Sequence, residues 1–306
     1  MTPVELMAAA RRWLNDEVVA TYKWTTAELV DYYNYTLDEI ARETDYFSDP
    51  TTVACINLSL TAGTGDYAFD TRVLEIKAIA VAGELNNLYQ TTTRLRSLEY
   101  PSWRYGNSVS GIDITFTAAT IASVVTDFIE AGFTAGEFYQ VLGSSVAGNN
   151  KVVKIETVEQ HLLTLSSGYS LTISSTAVRI VIKQMTTGTP LRYMTDYLPG
   201  YITLDPAPNF SGSLLMDVIR LQAVLLTAAE IVTPSSYTIP VNYQYHLQLV
   251  DGILSKAYLK SGPSTFNIEK SEVHRKLFMA LKDRIKKDMG KIGATQSTLR
   301  PHEGNI

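Results

Sequence analysis

The sequence predicts an α+β protein: a helical bundle formed by N- and C-terminal helices, packed with a small antiparallel β layer, plus an inserted all-β barrel or sandwich domain. Three observations carry this. Apolar residues recur at intervals of three and four in the first 45 residues and again after residue 240, the period of amphipathic helices. Between them, Leu58–Leu226 is a succession of short strand-like runs such as Val73–Val81 and Ser213–Arg220. Inside that tract, residues 107–187 shift in composition, with six acids and four bases in 81 residues and abundant Ser and Thr.

The elements follow in order. Thr2-Pro3-Val4-Glu5 is a helix start: Thr2 can cap, Pro3 suits the first helical position, and Glu5 can reach back to the cap. That helix is expected to run to Leu14. Thr25-Thr26-Ala27-Glu28 repeats the signal, and Leu29, Tyr32, Tyr33, Leu37 and Ile40 give one apolar face to about Thr44. Asp49-Pro50 closes this helical hairpin. The run Thr52–Leu58 reads as β-type with Cys55 buried in it. Ala62-Gly63-Thr64-Gly65-Asp66 is expected to be a turn between a strand ending near Leu60 and a short one at Tyr67–Phe69. It lacks the Lys and the following helix that a phosphate loop needs. Val73–Val81 is largely apolar, as a strand buried on both faces would be. Pro206 and Pro208 end another strand.

Within 107–187, runs at Ile112–Thr117, Phe138–Leu142, Val152–Ile155, Leu162–Leu165 and Val178–Ile182 predict short strands, with one short helix over Ser123–Ala131. Tyr105–Gly111 and Thr186–Thr189 read as paired linkers, so residues 1–106 and 188–293 form one domain and 107–187 an insert. After it, Pro240 opens a helix with Tyr243, Leu247, Val250, Leu254 and Ala257 on one stripe. Ser261-Gly262-Pro263 breaks it, and Asn267 caps a last helix with Val273, Leu277, Leu281 and Ile285 on its apolar face, ending near Gly290. Residues 294–306 lack apolar periodicity and are expected to be a flexible tail.

Composition excludes several classes. One cysteine rules out an internal disulfide framework and suits a reducing cytosol. The N-terminus lacks the order of a signal peptide, and no apolar run approaches the roughly 20 residues needed to cross a bilayer. Charged residues are only 19%, while tyrosine reaches 18 copies, a balance suited to interfaces or to the edges of β cores. Net charge is −5, but residues 256–300 hold eleven bases against four acids, a surplus of +7 that leaves −12 elsewhere. Such a segment can meet nucleic acid, meet an acidic partner, or simply be a solvated helix face.

No catalytic or metal constellation emerges. His161, His246, His274 and His302 pair with no cysteine, and HExxH, CxxC and GxSxG are absent. Glu269, Glu272 and His274 fall on different helical faces and read as surface residues. Asp196 and Asp205 could be posed as paired carboxylates, as could any two acids of a β protein. Trp13, Trp24 and Trp103 are isolated and read as core residues.

The hairpin Thr25–Asp45, the Ala62–Tyr67 turn with Val73–Val81, Leu95–Trp103, the strand Tyr201–Pro208 with Leu214–Leu221, and Ile239–Tyr258 with its following helix resemble the head-to-tail adaptor (connector) proteins of tailed bacteriophages. The likeness covers the two pieces flanking 107–187. The insert, with Asp127-Phe128, Gly132-Phe133 and Gly136, resembles small β-domains of virion proteins. The first resemblance implies a structural virion protein, made in the host cytoplasm, with no enzymatic activity, cofactor, metal or membrane partner. It implies a homo-oligomeric, dodecameric ring that joins the portal protein to a tail-side neck or nozzle protein and lines the exit channel of genomic DNA without sequence specificity. The basic C-terminal segment is then expected to dock on the portal, through Lys282, Arg284, Lys286, Lys287, Leu299, Arg300 and Ile306. The competing reading is a receptor- or glycan-binding virion protein acting through the insert, and a third is an enzyme of unrecognised type.

Overall fold

In the computed structural model, residues 1–297 are described apart from 19–21, 50–51, 85, 175–177, 233–236 and 263, with side chains of the last helix described as far as Gly290. The chain opens with helices α1 (Pro3–Leu14) and α2 (Thr26–Glu43), then β1 (Ser48–Asp49), a single helical turn α3 (Val53–Ile56), and strands β2 (Asn57–Leu60), β3 (Asp66–Ala68), β4 (Val73–Val81) and β5 (Tyr89–Gln90). Helix α4 (Thr93–Glu99) precedes β6 (Tyr105–Gly111), β7 (Thr115–Phe116), β8 (Thr120–Ala122) and β9 (Phe138–Leu142). There follow β10 (Val152–Val158), β11 (Leu162–Leu165), β12 (Ile180–Met185), β13 (Thr187–Gly188) and β14 (Arg192–Met194). The strands end with β15 (Tyr201–Asp205), β16 (Ala207–Pro208) and β17 (Gly212–Arg220), before helices α5 (Ala228–Val232), α6 (His246–Ala257) and α7 (Ile268–Ser297). The mixed α+β class expected from the sequence is the class observed. Two compact units result: Met1–Pro50, Arg72–Ile76 and Val218–Ile306 in one, Thr51–Thr71 and Lys77–Asp217 in the other.

The first unit is helical because its helices start well and share one apolar face. Thr2 accepts the Glu5 amide at 3.2 Å while Glu5 accepts the Thr2 amide at 2.8 Å. Thr25 and Glu28 repeat this reciprocal cap at 3.2 and 2.7 Å, each such cap being worth about 1 kcal/mol. Leu6, Ala10 and Leu14 of α1, Leu29, Tyr33, Leu37 and Ile40 of α2, and Leu249, Ile253 and Leu254 of α6 form one core with Phe278, Leu281 and Ile285 of α7. At Gly252 a Cβ would lie 2.3 Å from the Thr36 methyl, so α6 approaches α2 at a spacing only glycine permits. The α1–α2 connection is organised by buried Arg11, whose guanidinium donates to Asp16 (3.0 Å), the Trp24 carbonyl (2.9 Å) and the Thr26 hydroxyl (3.1 Å). Asp16 in turn accepts the Lys23 and Trp24 amides, which satisfies the buried charge.

In the second unit, β3-β15-β14-β5 make one four-stranded sheet, and β6-β12-β9-β10-β11-β8-β7 make a seven-stranded one. Asp66 of β3 pairs with Arg104 and accepts the Thr203 hydroxyl at 2.7 Å. The Ala62–Asp66 turn is held by the Tyr67 hydroxyl, which accepts the Thr61 amide at 3.1 Å and lies 2.8 Å from the Thr64 carbonyl. Gly63 there has φ +79° and sits where a Cβ would strike the Phe138 ring at 2.4 Å. The seven-stranded sheet closes over its own core, which includes Phe116, Ile121, Phe128, Tyr139, Val153, Leu163 and Ile182. Phe133 stacks on Tyr139 with centroids 4.5 Å apart. β6 and β7 stand at the two ends of the strand order, so the expected barrel is not closed among the described residues.

Several local expectations change. Tyr105–Gly111 is no linker but the strand β6, registered on β12 from Ile180 opposite Gly111 to Met185 opposite Tyr105. An exposed edge strand is polar on most positions, which hides it among Gly and Ser. Thr187–Gly188 likewise pairs with β16. Ser123–Ala131 forms turns instead of a helix, because Asp113 and Ser123 capture the amides of Val124, Val125 and Thr126. Cys55 is buried, but on the helical turn α3 and not in a strand. β4 buries Val73, Ile79 and Val81 and exposes Glu75 and Lys77, so it is not buried on both faces. The apolar residues buried on α6 are Leu249, Val250, Ile253, Leu254 and Ala257, while Leu247, and Tyr243 in the turn before it, face outward. In α7, Asn267 does cap, accepting the Lys270 amide at 2.9 Å. Val273 and Leu277 are about half exposed, however, and Phe278, Leu281 and Ile285 carry the core. The helix continues past Gly290 to Ser297, so 294–297 are helical where a tail was expected. Pro50 and Pro263 lie outside the described residues.

Candidate interaction surfaces

The chemistry-bearing side chains are dispersed and structurally employed. Asp196 accepts both the amide and the hydroxyl of Thr93 at the start of α4, at 3.0 and 2.9 Å. Asp205 is ion-paired with Arg96 at 2.5 Å. His161 Nδ1 lies 2.8 Å from the Thr126 carbonyl, and His246 Nε2 2.6 Å from the Val241 carbonyl. Among the described residues, no group of His, Cys, Asp and Glu could hold a metal ion. No described helix is long and apolar enough to cross a membrane.

The basic C-terminal segment is less uniform than its charge count implied. Three of its lysines are spent on α2: Lys260 meets Glu28 at 2.8 Å, Lys256 meets Glu39 at 3.3 Å, and Lys282 meets Glu43 at 2.7 Å. Burial pushes the Lys256 ammonium below its ordinary pKa, Glu39 opposing and Lys282 and Arg275 adding to the depression. Lys282, expected on the exposed face, is buried, with its ammonium also 5.0 Å from the Phe278 ring. It tethers α7 to α2 and is not available for docking. Of the residues expected to dock, Arg284, Lys286 and Lys287 face outward. Arg284 lies 3.8 Å from Asp288 and 5.6 Å from the Tyr245 ring. Leu299, Arg300 and Ile306, with His302, lie outside the described residues.

Counting residues gave no sign of a second surface, at the other end of α7. An open cleft of about 850 Å³ is lined by Arg12, Trp13, Asn15, Tyr258, Lys270 and His274, with Glu269 and Val273. Trp13, expected in the core, is 63% exposed there. His274, expected to be a plain surface residue, donates its Nδ1–H to Asp251 at 2.8 Å and stacks on Tyr258 with centroids 5.7 Å apart. Trp13 stands edge-on to the same imidazole at 6.2 Å, and Lys270 sits 5.4 Å from the Tyr258 ring. Aromatic walls with a cationic rim make an apolar recess suited to a protruding side chain. The signal in the sequence was Trp13 next to Arg12 at the very end of α1, off the Leu6–Ala10–Leu14 stripe.

Comparison with known proteins gives one family match: the family model described as SU10 adaptor protein matches residues 1–301. No curated protein matches the chain.

Proposed function

Because the chain belongs to the SU10 adaptor protein family and is a phage adaptor-type structural protein, we propose that it is a head-to-tail adaptor of the virion. Its copies form a dodecameric ring that joins the portal protein to a tail-side neck or nozzle protein and lines the channel through which DNA leaves. The family match over 1–301 carries this reading. The long α7, anchored to α2 by Lys282, supports it, because its outer half presents Arg284, Lys286 and Lys287 on one continuous helix. The surplus of −12 outside residues 256–300 suits a lumen through which a polyanion must slide without being held.

Individual surface ion pairs contribute about 0–1 kcal/mol, so the docking acts collectively, with Leu299 and Ile306 of the C-terminal residues as apolar anchors. Purified protein mixed with portal and imaged by negative stain should show a ring seated on the portal. Deleting 298–306, or replacing Arg284, Lys286 and Lys287 together by Glu, should leave the far-ultraviolet circular dichroism unchanged and abolish that ring. Complete necks with either variant would remove the C-terminal helix from the docking surface. A strong, salt-dependent affinity for duplex DNA would assign its charge to nucleic acid instead.

A further inference from the structure

The seven-stranded sheet ends in a rigid apolar tip. Val124 and Val125 are 83% and 79% exposed; Ile129, four residues on, and Ile112, next in the chain to Asp113, are exposed too. Consecutive valines so fully in water are costly, and a soft loop would fold them inward. This loop is not soft. The Asp113 carboxylate accepts the amides of Val124 and Val125 at 2.9 and 3.0 Å and the Ser123 hydroxyl, and Ser123 accepts the Thr126 amide at 2.8 Å. The flanking hairpin clamps it from the other side. Ser123 donates its amide to the His161 carbonyl, Phe128 donates to the Gln160 carbonyl, and the Gln160 amide donates to Asp127. The charges that these bonds bring to the loop are acidic: Asp113 holds the valine amides, and Asp127 accepts the Glu130 amide and the Gln160 side chain, with Glu159 next to Gln160 in the chain. Hydrogen bonds from the Ser123 hydroxyl and the Val125 amide hold the Asp113 carboxyl below its usual range, so its charge is permanent at neutral pH.

The cleft of Trp13, Tyr258 and Val273 is the tip's complement: concave where the tip protrudes, aromatic where the tip is aliphatic, and lined by two bases, Arg12 and Lys270, against one acid, Glu269. We propose that the Val124–Val125 tip of one copy docks into the Trp13–His274 cleft of a second copy of this chain. The contact is heterologous, joining different surfaces of the two copies. Repeating it closes a ring or propagates a chain of copies, unlike the two-fold contact that stops at a dimer. It deepens the adaptor reading by naming the residues through which neighbouring copies hold each other, and it leaves Arg284, Lys286 and Lys287 free for the portal.

A photo-crosslinking residue in place of Val125 tests this in the full chain, both in purified protein at raised concentration and in intact virions. The expected product is a covalent dimer whose linked peptides contain residue 125 and residues 12–15 or 269–274. Linkage within one chain, to other peptides, to a different virion protein, or none at all overturns the proposal. A second measurement uses substitutions at exposed positions that cannot unfold a core. Val124→Asp with Val125→Asp, and separately Trp13→Ala, should each weaken self-association at least about 10-fold, close to 1.4 kcal/mol. Mixed one to one, the two variants retain one intact tip and one intact cleft, so they should form dimers and no larger species. A mixture that stays monomeric, or single variants that assemble like the parent, overturns it. A ring on the portal without the crosslink sinks this contact alone, whereas no portal binding by the parent sinks the adaptor reading alone.

Discussion

The helical core draws its residues from Leu6–Phe47 and again from Leu226–Ile285, whereas the core of the seven-stranded sheet comes entirely from Ile114–Ile182. The first can form only when the two ends of the chain meet across nearly the whole second unit. The second is nearly self-contained in sequence. Loop closure grows more costly with the intervening length, by about 0.6 kcal/mol for each doubling. The helical core must offset that cost with dense aliphatic packing, as at the Gly252–Thr36 approach. The sheet has less to offset and can spend residues on an exposed tip. Where a core is local in sequence, the surface is free to carry function. Where it is not, even charged residues such as Arg11 and Lys282 are recruited to hold it.

Substitutions can break this comparison at either core. The largest effect is expected from Ile253→Ala together with Leu254→Ala, both fully buried in α6, at about 2–5 kcal/mol each from lost transfer energy and cavity formation. Hydrogen exchange should then show α1, α2 and α7 deprotected while β9, β10 and β12 stay protected. Loss of protection in both regions at once would mean the two cores form as one cooperative unit. Phe128→Ala, also fully buried, should cost about 3–5 kcal/mol and deprotect the sheet while sparing the helices.

Excision sharpens the comparison at smaller cost. We propose that 107–187 is a separable insert, since Tyr105 and Met185 stand opposite one another in β6 and β12 at its base. Replacing 107–187 with a short Gly/Ser loop should leave the melting of the helical unit unchanged. It should lower that of the remaining strands modestly, because Phe138 and Met185 pack on Ala207. A helical unit that no longer unfolds cooperatively would tie the two cores together. The smallest effect separates the true stripe of α6 from the expected one. Leu247→Ala, 66% exposed, should change stability by no more than about 0.5 kcal/mol. A loss near that of Leu254→Ala would put Leu247 back in the core.

The sequence alone determined whatever depends on near neighbours. The two capping boxes, the bounds of α1 and α2, the turn at Ala62–Asp66, β9 and β11 to the residue, the Asn267 cap and the α+β class are set by side chains within a few positions of the backbone they act on. Only the tertiary structure decided which apolar face is the inside. α6 and α7 each carry two apolar stripes; α2, with Thr36 against Gly252, selects Ile253 of α6 over Leu247, and α6 in turn selects Phe278 of α7, which also approaches Gly252, over the half-exposed Leu277. It also decided which charges are free, since Lys256, Lys260 and Lys282 lie more than 200 residues from the acids that claim them. The Trp13 cleft and the rigid valine tip belong to the same class. Each is built from segments distant in the chain or from hydrogen bonds to a carboxylate ten residues away, and periodicity along the chain records neither.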